Sequence, residues 1–278
     1  MFARIFSTLL LWAATLFVII YFNTAGWTVI IAALAAAALH ETFAIMRKTG
    51  LEPSGKIGQT VSLAIFVGTF TGMYFGVLFG GALAYGLGVV AAAVGIVKNP
   101  YGGYFSKTFL PTVTAVGAIA FMLHFLVITA MFGGQNPYCG IVLAIWILAA
   151  AKFSDVGAYV IGCAFGRHKL AESISPKKTW EGAVGGLVSS AAVSAAIACG
   201  FADILPAQFT PPVAAVAGTA IGAIAIVSDL LESVFKRVAG VKDSGAMIPG
   251  IGGALDLADS ILLSAPVGTL FIVLIYIF

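Results

Sequence analysis

Apolar residues run along this chain in long blocks separated by short polar or glycine-containing segments. A helix that crosses a bilayer needs about 20 apolar residues, because each rises 1.5 Å through a hydrocarbon core of about 30 Å. Nine blocks reach that length, near 5–22, 25–45, 59–78, 81–97, 108–131, 139–163, 183–201, 212–234 and 257–277. Each predicts a helix. Only short turns containing Gly or Asn split 5–22 from 25–45 and 59–78 from 81–97, so both pairs read as tight hairpins. With no repeat, low-complexity tract or sizeable soluble segment, the pattern predicts one polytopic all-α membrane domain over 1–278. Helices 1–5 fall in 1–135, and helices 6–9 with two cytoplasmic loops fall in 136–278.

Composition agrees with this pattern and excludes a water-soluble globule. Hydrophobic residues make up 61% of the 278 and charged ones 9%, against about 25% charged in a soluble domain. The 33 glycines suit close helix packing in lipid. Cys139, Cys163 and Cys199 lie far apart in apolar runs and read as small buried hydrophobes. A net charge of +3 without a basic tract gives no reason to expect a nucleic-acid partner. The run after Arg4 is of spanning length and does not read as a cleaved signal peptide.

The few charges are placed unevenly. Thirteen of the 14 basic residues (Arg4, Arg47, Lys48, Lys56, Lys98, Lys107, Arg167, Lys169, Lys177, Lys178, Lys236, Arg237 and Lys242) fall on alternate loops, and Lys152 lies inside helix 6. The basic side is expected in the cytoplasm, with the N-terminus inside and the C-terminus outside.

Acidic residues inside spans are costly and mark function by default. Counting the rise from the outer end places Glu41, Asp155 and Asp229 at about 24–26 Å along their helices. Asp256 and Asp259 open helix 9 at the same depth. Asp229, Glu232, Ser233 and Lys236 stand at i, i+3, i+4 and i+7, one face of a helix. A basic, glycine-rich segment joins this face to Asp256: Lys236-Arg237, Lys242-Asp243, then Pro249 to Gly253. Carboxylates opposite such a segment suit a divalent cation with phosphates, since Mg²⁺ takes one or two carboxylates and shares its other positions with water and phosphate oxygens. Simpler roles stand beside this one. Asp256 would cap helix 9, Glu232 would pair with Lys236, and Lys152 would pair with Asp155.

A second loop carries Gly166-Arg167-His168-Lys169 and then Ser175-Pro176-Lys177-Lys178-Thr179-Trp180-Glu181-Gly182. Ser before Pro predicts a helix start capped by Ser175, with Lys177, Lys178 and Thr179 projecting at an anion-friendly N-terminus. Trp180 reads as an interfacial anchor or a stacking surface, the anchor being favoured. No Ser-His-Asp pattern, zinc spacing or dinucleotide fingerprint is present.

The run Ser233, Lys236-Arg237, Lys242-Asp243, Pro249-Gly250, Gly252-Gly253, Asp256 and Asp259 closely resembles the signature of the phosphatidate cytidylyltransferase (CDP-diacylglycerol synthase) family. Ser154-Asp155, Gly157-Ala158-Tyr159 and the Ser175-Pro176 loop resemble it too, so the likeness covers about 105 residues from Ser154 to Ser260. It implies a multi-helix, homodimeric enzyme of the inner cell membrane. Its active site would face the cytoplasm and convert CTP and phosphatidic acid to CDP-diacylglycerol and pyrophosphate with Mg²⁺, with a second cation as a further option. By position, Asp229 and Asp256 match the metal-binding aspartates, while Asp155, Lys236, Arg237, Lys242, Asp243 and Asp259 match other signature positions. The chain departs from the family where Ile251 replaces a His and Leu257 an Arg, two polar groups beside the expected phosphate site.

The chemistry needs no strong base, because the attacking lipid phosphate is already ionised. Cations and positioning lower the barrier between two anions. Asp229 and Asp256 are expected to hold the metal, with Asp259 and Asp155 in support. Lys236, Arg237, Lys242, Lys177 and Lys178 neutralise the phosphates. Ser175, Thr179, Ser233, Gly252 and Gly253 complete the substrate-binding set. The alternatives are a related CTP-using lipid enzyme, such as a polyprenol kinase or an ether-lipid CDP synthase, and, less favoured, a secondary transporter.

Overall fold

The computed structural model describes residues 2–100, 103–132, 136–245 and 252–277. The chain is a multi-pass, almost wholly helical membrane protein. Eight helices among the described residues are long and apolar enough to cross a membrane. The ninth expected span, 5–22, is the part of α1 (Phe2–Lys48) ahead of Asn23; its backbone is helical, and its side chains up to residue 16 lie outside the described ones. Asn23 breaks α1 at φ 48° and ψ −132°, a left-handed φ that Asn tolerates better than most residues. A Cβ on Gly26 would stand 2.6 Å from the carbonyl oxygen of Val18, although residues eight apart lie about 12 Å apart along a straight helix. The chain therefore doubles back at Asn23, as its short polar turn predicts.

The chain divides into two compact units, Met1–Ile128 with Val238–Ala258, and Thr129–Arg237 with Asp259–Phe278. In the first unit α1 is followed by α2 (Gly55–Tyr74), α3 (Gly80–Lys98), α4 (Leu110–Val116) and the start of α5 (Met122–Met131). Single π-helical turns at Phe105–Phe109 and Gly117–Phe121 flank α4. Ser54 caps α2, its Oγ accepting the Ile57 N–H at 3.4 Å. The α2–α3 hairpin closes on glycine: a Cβ on Gly68 would lie 2.7 Å from the Gly80 carbonyl oxygen, and one on Gly72 2.7 Å from that of Val77. Small residues let lipid-embedded helices approach in this way. Leu39, Phe43, Ile65, Phe66, Leu123 and Leu126 are buried beneath them, and the Trp27 indole N–H donates to the Leu126 carbonyl at 3.1 Å.

The second unit is built on α6 (Pro137–Phe165), α7 (Trp180–Gly200), α8 (Pro211–Val238) and most of α9 (Ala254–Ile277). Asn136 caps α6, its side chain accepting the Tyr138 N–H at 3.0 Å. Three helices meet through small residues. A Cβ on Gly186 of α7 would lie 2.8 Å from the Ser154 carbonyl oxygen of α6. The Ser190 hydroxyl sits 2.9 Å from the Ala150 carbonyl oxygen and 2.6 Å from that of Gly218 on α8. Thr129 and Thr269 share a buried hydrogen bond of 2.7 Å at the α9 side.

One local expectation is corrected. Ser175 does not start a helix. Ser175–Thr179 forms β2, antiparallel to β1 (Lys169–Ala171), with Ala171 opposite Ser175 and Lys169 opposite Thr179. Pro176 is tolerated because the two-stranded ribbon leaves it an outer edge. Thr179 caps α7 instead, its hydroxyl oxygen accepting the Gly182 N–H at 3.1 Å. The Glu181 carboxylate accepts the Arg167 and His168 N–H groups at 3.1 and 3.2 Å, and meets the His168 ring at 2.6 Å, pinning the base of the ribbon.

Candidate active site

Within the second unit α6, the ribbon, the start of α7 and α8 enclose a cavity of about 310 Å³. Asp155 and Tyr159 come from α6, Ser175, Lys177, Lys178 and Thr179 from β2, and Asp229 from α8. Lysines and aspartates thus face one space. The strand brings both lysines here, Lys177 exposed and Lys178 partly buried. The Lys178 ammonium lies 2.6 Å from Asp229 Oδ2.

Beside this cavity Asp229, Glu232 and Asp259 form an acidic group, one oxygen of each lying within 4.8 Å of the others. Each of these acids meets a lysine. Lys178 is on Asp229, Lys236 lies 2.7 Å from Glu232, and Lys152 lies 3.3 Å from Asp259. Lys152 also donates to the Ser260 hydroxyl at 2.9 Å and reaches Asp155 at 3.7 Å, so the expected Lys152–Asp155 pair is one edge of a larger network. Glu232 is buried, 6% exposed, and its pairing with Lys236 offsets the cost of a buried charge. The Ser228 hydroxyl donates to the Asp259 carbonyl, fixing α9 against α8.

Of the remaining expected residues in this unit, Ser233 lies on α8, and Arg237 donates through Nε to the Ile174 carbonyl at 3.4 Å. Asp256, Lys242, Asp243, Gly252 and Gly253 belong to the first unit. Lys242 and Asp243 are exposed. Gly252 has φ +120°, backbone that favours glycine. The Gly253 N–H donates to Asp256 Oδ2 at 3.0 Å, so Asp256 does bond its own helix entrance, as its capping role predicts. Pro249, Gly250 and Ile251 lie outside the described residues.

Glu232, at i+3 from Asp229, pairs with Lys236 as expected and also joins the acidic group. Lys152 reaches Asp259 across more than a hundred residues, and Glu41 bonds the α9 entrance through Leu255 N–H at 2.9 Å. No local spacing carries those two contacts.

The family model described as the cytidylyltransferase family matches residues 2–275. The chain is similar to a phosphatidate cytidylyltransferase of Synechocystis, 31% identical over 271 residues that cover 90% of each chain. It is 41% identical over 133 residues to one of Haemophilus influenzae, covering 48% of this chain and 46% of that protein, less than half its length. It is also 34% identical over 188 residues to the uncharacterised Escherichia coli protein YnbB, covering 66% of this chain and 59% of that one.

Proposed function

Because the chain belongs to the cytidylyltransferase family, we propose that it transfers the cytidylyl group of CTP to phosphatidic acid, giving CDP-diacylglycerol and pyrophosphate. The observation that carries this reading is the lysine- and aspartate-lined cavity of the second unit, which suits phosphates and a cation together. A phosphate oxygen of the lipid bonds to the α-phosphorus of CTP. The bond from that phosphorus to the β-phosphate oxygen breaks, and its electron pair leaves with pyrophosphate. The attacking oxygen is already anionic, so the protein's task is to align two anions and neutralise charge as it shifts to the leaving group.

Lys177 and Lys178 bind phosphate oxygens from the ribbon side. Lys178 is held ready by Asp229 and needs only a short movement to share itself with an incoming phosphate. Ser175 and Thr179 line the cavity, and Arg237 steadies the ribbon through the Ile174 carbonyl. Lys152 and Lys236 keep their carboxylates from repelling one another.

The oxygen-only set of Asp229, Glu232 and Asp259 fits a hard divalent cation such as Mg²⁺. Bound there, the ion supplies charge neutralisation and polarisation of phosphate oxygens. Family resemblance assigns Asp256 a metal-binding role, and Lys242, Asp243, Gly252 and Gly253 a role in serving the nucleotide. The proposal extends to nine spans with a cytoplasmic N-terminus in the inner membrane, a homodimer, and lipid acyl chains that stay in the bilayer during reaction.

The test is direct. Purified protein is incubated with labelled CTP, phosphatidate and Mg²⁺ in detergent, and a CDP-lipid and pyrophosphate are sought. Asp229→Ala is expected to remove the product while the protein stays folded. Normal turnover by that variant would falsify the site.

A further inference from the structure

Glu41 is a carboxylate on a membrane-spanning helix, 6% exposed, to which the proposed reaction gives no task. Charges in such places are rare and expensive. Its Oε2 accepts the Leu255 N–H at 2.9 Å and lies 3.1 Å from the Ser244 hydroxyl. That hydroxyl is nearer to Asp256 Oδ2, at 2.8 Å. Asp256 Oδ2 also takes the N–H of Gly253 at 3.0 Å and that of Ser244 at 3.3 Å. All these groups belong to the first unit.

The surroundings leave the clasp no slack. A Cβ on Gly253 would collide with the Ser244 hydroxyl and Glu41 Oε2, and one on Gly245 would collide with Glu41 Oε1. Serine has a single hydroxyl hydrogen. The Ser244 hydroxyl lies within donating reach of both Glu41 Oε2 and Asp256 Oδ2, so its one hydrogen ties the two carboxylates together.

We propose that Glu41 and Ser244 are positioning residues that lock the Asp256 carboxylate at the entrance of α9, rather than side chains that only stabilise the fold. The proposal rests on the reading that Asp256 belongs to the catalytic machinery. Three donors on one oxygen fix the plane of the carboxylate, and so the direction of its other oxygen. Glu41 holds the helix entrance through Leu255, and Ser244 passes that order to Asp256. Such outer partners of a working carboxylate change activity by about 10- to 100-fold when removed.

The experiment compares Ser244→Ala, Ser244→Thr, Glu41→Ala and Asp256→Ala for kcat, KM for CTP, thermal midpoint, and hydrogen exchange of the peptide containing Leu255. Ser244→Ala should lower kcat by about 10- to 100-fold with little change in KM or midpoint, and Ser244→Thr, which keeps the hydroxyl, should recover most of the loss. Glu41→Ala should speed exchange at the Leu255 amide. Wild-type kcat in Ser244→Ala beside an inactive Asp256→Ala overturns the positioning role. Unchanged Leu255 exchange in Glu41→Ala overturns the clasp whatever the turnover. An active Asp256→Ala instead overturns the catalytic reading of Asp256, and this proposal with it.

Discussion

Replacing Lys178 by Met tests the cavity most sharply, because it removes a charge while keeping most of the side chain's volume. The ammonium stands 2.6 Å from Asp229 Oδ2, with the two side chains 23% and 25% exposed. At an effective dielectric of about 20 the gross attraction is about 6 kcal/mol. Desolvation and lost side-chain freedom offset most of it. An exposed pair contributes about 0–1 kcal/mol, and removing one partner of a buried pair costs about 3–5 kcal/mol. This pair lies between, so Lys178→Met should cost about 2 kcal/mol in stability. At about 2–4 °C per kcal/mol, the thermal midpoint falls by several degrees and the protein stays folded in the assay. Activity should fall much further. A preorganised group facing developing charge contributes about 10²- to 10³-fold, and kcat/KM for CTP should drop by that factor in initial-rate assays of CDP-lipid formation. Lys178→Arg should fall between the two, since a planar guanidinium does not reproduce a compact ammonium. A kcat/KM within about threefold of wild type, in folded Lys178→Met protein, would refute phosphate contact by Lys178.

Three further outcomes follow from the same structure. Asp229→Asn, Glu232→Gln and Asp259→Asn should each weaken divalent-cation binding, read as Mn²⁺ binding by electron paramagnetic resonance in the absence of nucleotide; unaltered binding in all three removes the acidic group as the cation site. Gly186→Val places methyl groups against the Ser154 carbonyl and should destabilise the protein by about 1–3 kcal/mol, seen as a lower thermal midpoint without a change in KM. In a protein whose three cysteines are replaced, Thr49→Cys should react with a membrane-impermeant thiol reagent only from the cytoplasmic side and Gln208→Cys only from the other; the reverse labelling overturns the orientation.

The helices were legible because membrane burial writes them as uninterrupted apolar runs, needing no tertiary information. Asn23 marked the first reversal for the same reason, since a polar residue that tolerates a positive φ interrupts such a run. Ser175 misled. Ser-Pro is a helix-start pattern when nothing else competes, but pairing with Lys169–Ala171 and the better-placed Thr179 cap outweigh it. At the candidate site, the lysines and aspartates were visible by type and depth. Their pairing was less so. Asp229 and Glu232 share a helix face and were readable together, whereas Lys152 on Asp259 and Glu41 on Leu255 are set by helix packing alone.

The Ser190 junction has a mechanical consequence. Three backbones there touch with scarcely a compressible side chain between them, so α6, α7 and α8 behave as one stiff frame. If a lipid headgroup has to squeeze in sideways, the frame does not yield to admit it. An opening for it would have to come from the cavity's other wall, the two-stranded ribbon, whose base the Glu181 carboxylate ties to the start of α7.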